Sequence, residues 1–237
     1  MLTAPDGYVA RVMGRRRLAG MELFCTRAGE SASFYAWLLS TDAETGRDDW
    51  EPVRLLFDRA VVGVRRTAVG HQPDPSWIPV YLVEDTEAAC RRMEAQGGTT
   101  KRIDDRQYLI DSAGVWTRVV GADRLPFGLD PDVVSQMILD YNTADVPAVA
   151  ATYGEVLGLD PVAFVDDEHD YTLLVDDKHI AMGVVDYTTA TTAPIRDAAW
   201  ILYFDVPDVR ASMERAVSAG ATVAIPPRRT GTTTGAC

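Results

Sequence analysis

Short apolar runs of alternating polarity recur along the chain, separated by segments whose apolar residues return with helical spacing. This is the signature of strands alternating with amphipathic helices. From Trp77 the chain reads as an apolar strand, an Asp at a helix start, an amphipathic helix and a terminating Gly. The same pattern recurs from Trp200, at an offset of 123 residues. Trp77/Trp200, Ile78/Ile201, Val83/Val206, Asp85/Asp208, Ala88/Ala211, Arg92/Arg215, Gly97/Gly220 and Thr99/Thr222 coincide. Asp at an N-cap accepts amide protons that the first helical turn leaves over, and Gly at the end permits a left-handed turn.

The segments upstream of these units also correspond, at an offset of 118. The run Ser33 to Leu39 matches Ala151 to Leu157, each following a strand, Met21 to Thr26 and Gln136 to Tyr141. Paired β-rich stretches follow, Val53 to Phe57 with Ala60 to Arg65, and Tyr171 to Val175 with His179 to Val185. Asp58-Arg59 and Asp176-Asp177 separate them as hairpin turns would. The expected fold class is α+β, with tandem paired βαβββ units forming two cup-shaped mixed sheets and the helices outside.

The first copy closes with Tyr108 to Gly121, a turn between two strands, whereas the second ends in a Gly/Thr-rich stretch before Cys237. The missing closure corresponds to the opposite end of the chain. Ala4 to Gly14 aligns with Asp111 to Gly121, with Gly7/Gly114, Arg11/Arg118, Val12/Val119 and Gly14/Gly121 identical. The chain therefore reads as circularly permuted. A first domain is expected over 15–125 and a second over 126–237, completed by an N-terminal strand within 1–14. The alternative is a shortened chain whose first residues form an unrelated arm.

Composition narrows the function classes. The 237 residues carry 23 Lys and Arg against 35 Asp and Glu, a formal charge of −12. That balance argues against a surface built for nucleic-acid phosphates or anionic lipid. Three cysteines, with no close pair, supply no disulfide framework. Glu22 interrupts the apolar run after Arg15-Arg16-Arg17, leaving no secretory signal pattern. A cytoplasmic protein is expected. The acidic Thr41 to Asp49 stretch reads as a solvated loop, because it lacks the Gly and final Glu of an EF-hand. Thr230 to Gly235 lacks the Gly-Lys-Ser/Thr ending of a phosphate-binding loop; it reads as a lid over the second cup or a plain terminus.

The Phe34-Tyr35 helix, the strand–Asp–helix–Gly units ending at Gly97-Gly98 and Gly220-Ala221, and the Pro5-Asp6-Gly7-Tyr8 turn together resemble the vicinal oxygen chelate superfamily. Glyoxalases, bleomycin-resistance proteins and extradiol dioxygenases belong to it. The resemblance covers nearly the whole chain and implies one sheet cup per domain. In the metal-dependent enzymes of that family, His, Gln or Glu ligands come from the first strand, the strand before the second helix and the closing strand. The positions this implies are Gly20, Ile78 and Arg118 in the first copy, and Ile138, Ile201 and Arg11 in the second. Gly and Ile offer no donor atom and Arg brings a repelling charge, so neither set suits a divalent ion. No metal and no cofactor are expected.

With those positions inward, strand alternation turns Glu22, Phe24, Val80, Leu82, Trp116 and Arg118 into the first cup. Gln136, Asp140, Asn142, Tyr203, Asp205, Val9 and Arg11 turn into the second. Each cup thus pairs a carboxylate, Glu22 or Asp140, with an arginine of the closing strand. The pair serves either as an internal substitute for the metal or as a fork that grips a substrate oxygen. Phe24 and Trp116 suit stacking on a flat ligand, or equally a filled core. Tyr203 with Asp205 or Asp140 is the candidate proton-transfer group. Ligand-binding candidates are Arg11, Gln136, Asn142, Arg118, Glu22, Phe24 and Trp116.

Two functions remain open at this level. One is metal-independent sequestration of a small hydrophobic or aromatic metabolite, as in the bleomycin-resistance proteins. The other is a metal-free isomerase, lyase or oxygenase of secondary metabolism on the same fold. The expected partners are a small-molecule ligand and a second copy of the chain in a homodimer, with neither nucleic acid nor membrane.

Overall fold

The computed structural model describes residues 18–44, 53–57, 60–66, 76–121, 138–165, 170–176, 179–187, 198–204, 206–224 and 226–227. The first unit runs β1 (Leu18–Cys25), α1 (Ala28–Leu39), β2 (Asp42–Glu44), β3 (Val53–Phe57) and β4 (Ala60–Arg66). Its companion follows as β5 (Ser76–Val83), α2 (Thr86–Ala95), β6 (Thr99–Ile103), β7 (Arg106–Ile110) and β8 (Trp116–Gly121). All eight strands form one sheet in the order β2-β3-β4-β1-β5-β8-β7-β6. Strands β1 and β4 are parallel, β5 and β8 are parallel, and β1 meets β5 antiparallel, so the two units are joined at the sheet's centre.

The second sheet comprises β9 (Ile138–Asn142), β10 (Asp160–Val165), β11 (Asp170–Asp176), β12 (His179–Val185) and β13 (Ala199–Tyr203), with α3 (Val146–Leu157) and α4 (Val209–Ser218). Its order is β10-β11-β12-β9-β13. Strand β9 is parallel to β12 and antiparallel to β13, repeating the β4-β1-β5 arrangement of the first sheet. The chain is therefore α+β, with two mixed sheets. Among the described residues, no helix is long and apolar enough to cross a membrane.

The helix signals act where the repeat puts them. Asp85 accepts the Ala88 amide at 3.0 Å and Asp208 accepts that of Ala211 at 2.9 Å. Gly97 and Gly220 close these helices at φ +83° and +94°, a region costly for a residue with a Cβ. Helix α1 starts at Ala28 and α3 at Val146, both earlier than the matched runs from Ser33 and Ala151. Helix α1 opens on Ala28 and Gly29, which add little to an apolar pattern. The stretch read as a solvated loop is a strand at Asp42–Glu44, because Ala43 pairs with Leu55 of β3. That pairing is non-local, and its own sequence gives no strand signal.

One core runs between the two sheets and gathers Met21, Tyr81, Met93, Leu109, Leu139, Tyr141, Tyr153, Leu157 and Trp200. Polar groups inside it are matched across the halves. Asp111 Oδ2 accepts from Tyr141 at 2.7 Å and Tyr153 at 3.1 Å, while its Oδ1 accepts from the Ala113 and Val115 amides. Trp200 Nε1 donates to the Trp116 carbonyl at 2.9 Å. Burial, then the Asp111 charge, pushes both tyrosines well above the usual phenol range, so they remain donors. The assignment of residues 1–14 to the second domain concerns residues outside those described.

Candidate functional site

The register decides which residues face one another across each cup. Glu22 pairs with Ile78 on β5, and Asp140 pairs with Ile201 on β13. Gly20 instead stands opposite Val80 and Ile138 opposite Tyr203. The carboxylates, not Gly20 and Ile138, are thus the first-strand residues level with the isoleucines.

In the first cup, Arg118 Nη1 meets Glu22 Oε1 at 2.5 Å, and Tyr108 donates to Oε2 at 3.2 Å. Glu22 is 0% exposed and Arg118 7%. The surrounding Phe24, Ile78, Tyr108 and Trp116 form a buried cluster, with Phe24 and Trp116 each packed against the Tyr108 ring at 5.8 and 5.5 Å. Lys101 Nζ lies 5.4 Å from the Trp116 ring. The aromatic residues that suit a flat ligand are thus packed on one another. A buried charge pair of this kind holds its geometry because either ion alone is costly.

The second cup is built differently. Asp140 is 2% exposed, and phenols serve both of its oxygens: Tyr171 donates to Oδ1 at 2.6 Å and Tyr203 to Oδ2 at 2.7 Å. Tyr203 has one hydroxyl proton, which the carboxylate takes. Its hydroxyl also lies 3.1 Å from that of Tyr187. Asn142, fully buried, accepts the Tyr187 backbone amide at 2.8 Å and fixes the loop that carries this tyrosine. Burial raises the Asp140 carboxyl above the ordinary Asp range, and the Tyr171 and Tyr203 hydrogen bonds act in the opposite direction. Tyr203 is half-buried, so the network runs from a buried acid to a reachable phenol.

Gly183 makes this approach feasible. It pairs with Asp140 across β12 and β9, and a Cβ there would overlap Asp140 Oδ1 and the Tyr171 hydroxyl. Sequence reasoning missed Tyr171, Tyr187 and, in the first cup, Tyr108. The available signal was Gly183 itself, since a glycine inside a strand marks a close approach. Arg11, Gln136 and Asp205 lie outside the described residues. Tyr203, Asp140 and Asn142 come together in the second cup, and Glu22, Phe24, Trp116 and Arg118 in the first. Burial pushes the half-buried Cys90 thiol up, which disfavours a nucleophilic thiolate.

Arg118 and Tyr108 occupy Glu22, Tyr171 and Tyr203 occupy Asp140, and the residue facing each acid is an isoleucine. Among the described residues, no group of three His, Cys, Asp or Glu could hold a metal.

Residues 136–237 match the model of the Glyoxalase/Bleomycin resistance protein/Dioxygenase superfamily. No curated protein sequence matches the chain. Among solved structures, the 2,3-dioxygenase LapB from Pseudomonas sp. KL28 is similar at 17% identity and a TM-score of 0.57, over 95% of this chain and 88% of that one. The 2,2',3-trihydroxybiphenyl 1,2-dioxygenase of Sphingomonas wittichii strain RW1 is similar at 12% identity and a TM-score of 0.56, over 88% and 80%. The Mn(II)-bound glyoxalase from Novosphingobium aromaticivorans gives 12% identity and a TM-score of 0.56, over 86% and 71%. Such identities carry the fold and not the chemistry. The C-terminal segment of the chain is thus similar to the glyoxalase/bleomycin resistance/dioxygenase superfamily, and the chain shares its fold with these solved structures over most of its length.

Proposed function

We propose that the protein binds a small aromatic or hydrophobic metabolite in the second cup without a metal ion, in the manner of a bleomycin-resistance-like sequestering protein. One observation carries the reading: the buried Asp140 carboxylate is held by tyrosines, and one of them, Tyr203, is half-buried. The hydroxyls of Tyr187 and Tyr203 supply polar contacts, and Phe164, Leu173 and Ile201 supply apolar surface beside Tyr171 and Tyr187. A few fixed polar groups within an apolar wall are the ordinary make-up of a small-molecule site. The first cup contributes stability on this reading, because its acid is neutralised by Arg118.

The test is calorimetric titration of the full chain with a panel of phenols and fused-ring aromatics, first in excess EDTA and then with added Mn(II) or Zn(II). Binding by at least one class should persist in EDTA. Tyr203→Phe should weaken it about fivefold or more, the equivalent of a lost hydrogen bond of about 1 kcal/mol. Binding that appears only with a divalent ion would overturn the metal-free reading. Equal affinity in Tyr203→Phe would place the ligand elsewhere.

The raised Asp140 carboxyl favours a second reading, a metal-free enzyme that exchanges a proton through Tyr203. It requires turnover, so a bound ligand recovered chemically unchanged after long incubation separates the two.

A further inference from the structure

We infer that Asp111 of the first copy is a positioning residue for the second cup: with the Trp116 carbonyl it fixes, from behind, the strand pair that presents Asp140 and Tyr203 to the ligand. This role rests on the binding reading of that cup. Register supplies the geometry. On β9 and β13, Tyr141 faces Trp200, and the next pair along is Asp140 with Ile201. Side chains alternate across a sheet, so the Asp140 pair turns into the cup while the Tyr141 pair turns toward the first copy. Both members of that rear pair are held there by hydrogen bonds. Tyr141 donates to Asp111 Oδ2 at 2.7 Å, and Trp200 Nε1 donates to the Trp116 carbonyl at 2.9 Å. Tyr153 donates to the same Asp111 oxygen at 3.1 Å, which ties helix α3 to the same point.

Asp111 is itself held by its own turn. Its Oδ1 accepts the Ala113 and Val115 amides, and its amide donates to the Val115 carbonyl at 3.1 Å. The first cup is the comparison that the duplication supplies. Behind Glu22 and Ile78 stands the pair Leu23 and Trp77, the counterparts of Tyr141 and Trp200 at offsets of 118 and 123. Leu23 has no hydroxyl to anchor, and Trp77 is hydrogen-bonded to Tyr35 of its own copy. Among the described residues, polar anchoring to the other copy thus stands behind the cup with the half-buried phenol, and not behind the cup filled by its own aromatic rings. Apolar packing alone tolerates small rearrangements, whereas a buried polar network with every member satisfied specifies one arrangement. The bonds of Tyr171 and Tyr203 to Asp140, at 2.6 and 2.7 Å, depend on such precision, because a site loosened by about 1 Å loses its geometry.

The test uses the full chain and reads the cup with and without ligand. Tyrosines labelled with an NMR-active carbon at Cζ give signals for Tyr171 and Tyr203, assigned through Tyr171→Phe and Tyr203→Phe, that report their hydrogen bonds to Asp140. Asp111→Asn and Tyr141→Phe should each shift both signals. Each should also weaken binding of the tightest phenol of the panel, in EDTA, about fivefold to tenfold, within the range by which a residue remote from the ligand modulates a site. Arg92→Met is the control. It removes the Arg92 bonds to the Val156 carbonyl, at 3.0 and 3.1 Å, which also cross the copies but end on neither β9 nor β13. Signals and affinity should there match the parent. If Asp111→Asn does not fold, Tyr141→Phe, which only removes a donor, carries the test. Unmoved signals in Tyr141→Phe would overturn the positioning role, and so would an equal displacement in Arg92→Met, which marks general loosening. Shifted signals with unchanged affinity would overturn it as well, because the ligand would not be reading this geometry. If the parent binds no phenol, the binding reading fails by itself, and the signals still decide whether Asp111 fixes the two tyrosines.

Discussion

Replacing Arg118 by Met tests the division of labour between the two cups. Glu22 is 0% exposed, and its carboxylate meets Arg118 Nη1 at 2.5 Å. At an effective dielectric of about 20 and charge centres about 4 Å apart, their attraction is about 4 kcal/mol. Removing the cation leaves Glu22 with the Tyr108 hydroxyl but without a compensating charge, and breaking such a buried pair costs about 3–5 kcal/mol. Urea-unfolding free energies should show that deficit. Glu22→Gln/Arg118→Met keeps an acceptor for Tyr108 and removes both charges; it should recover to within about 1–2 kcal/mol of the parent. Metabolite binding in the second cup should be unchanged in both variants. A loss below about 1 kcal/mol in Arg118→Met would refute a closed and dry first cup.

Three further outcomes follow from the same geometry. Asp140 has a raised folded-state pKa, so its contribution to stability is fully present below the unfolded carboxylate value and is lost as pH rises through the folded one. Unfolding free energies measured across the acidic range should show that decline in the parent and not in Asp140→Asn. Gly183→Ala inserts a methyl where the Asp140 and Tyr171 oxygens lie, and should cost about 1–3 kcal/mol and weaken binding together, as read by urea melts and titration. Asp111→Ala deprives the fully buried Tyr141 and Tyr153 hydroxyls of their shared acceptor. Chemical denaturation should show a loss of about 2–6 kcal/mol, exceeding that of Tyr141→Phe, which removes a donor cleanly.

The order of elements was legible in the sequence because its signals are local. Asp85 and Asp208 cap helices through their own third-neighbour amides, and Gly97 and Gly220 end them through their own φ. Duplication then extended that reading from one unit to the whole chain, and strand alternation put Glu22 and Asp140 on inward faces before any register was known. What tertiary structure alone decided was who meets whom. The cross-strand pairing of Glu22 with Ile78 and Asp140 with Ile201 depends on β1–β5 and β9–β13 register, which one sequence does not specify to two residues. Tyr171 and Tyr187 reach the second cup from β11 and from just beyond β12, each more than twenty residues from Asp140, so no local pattern links them. The two acids, alike in sequence, differ in chemistry for that reason: a guanidinium neutralises one in a closed core, and phenols share the other's charge beside a reachable hydroxyl.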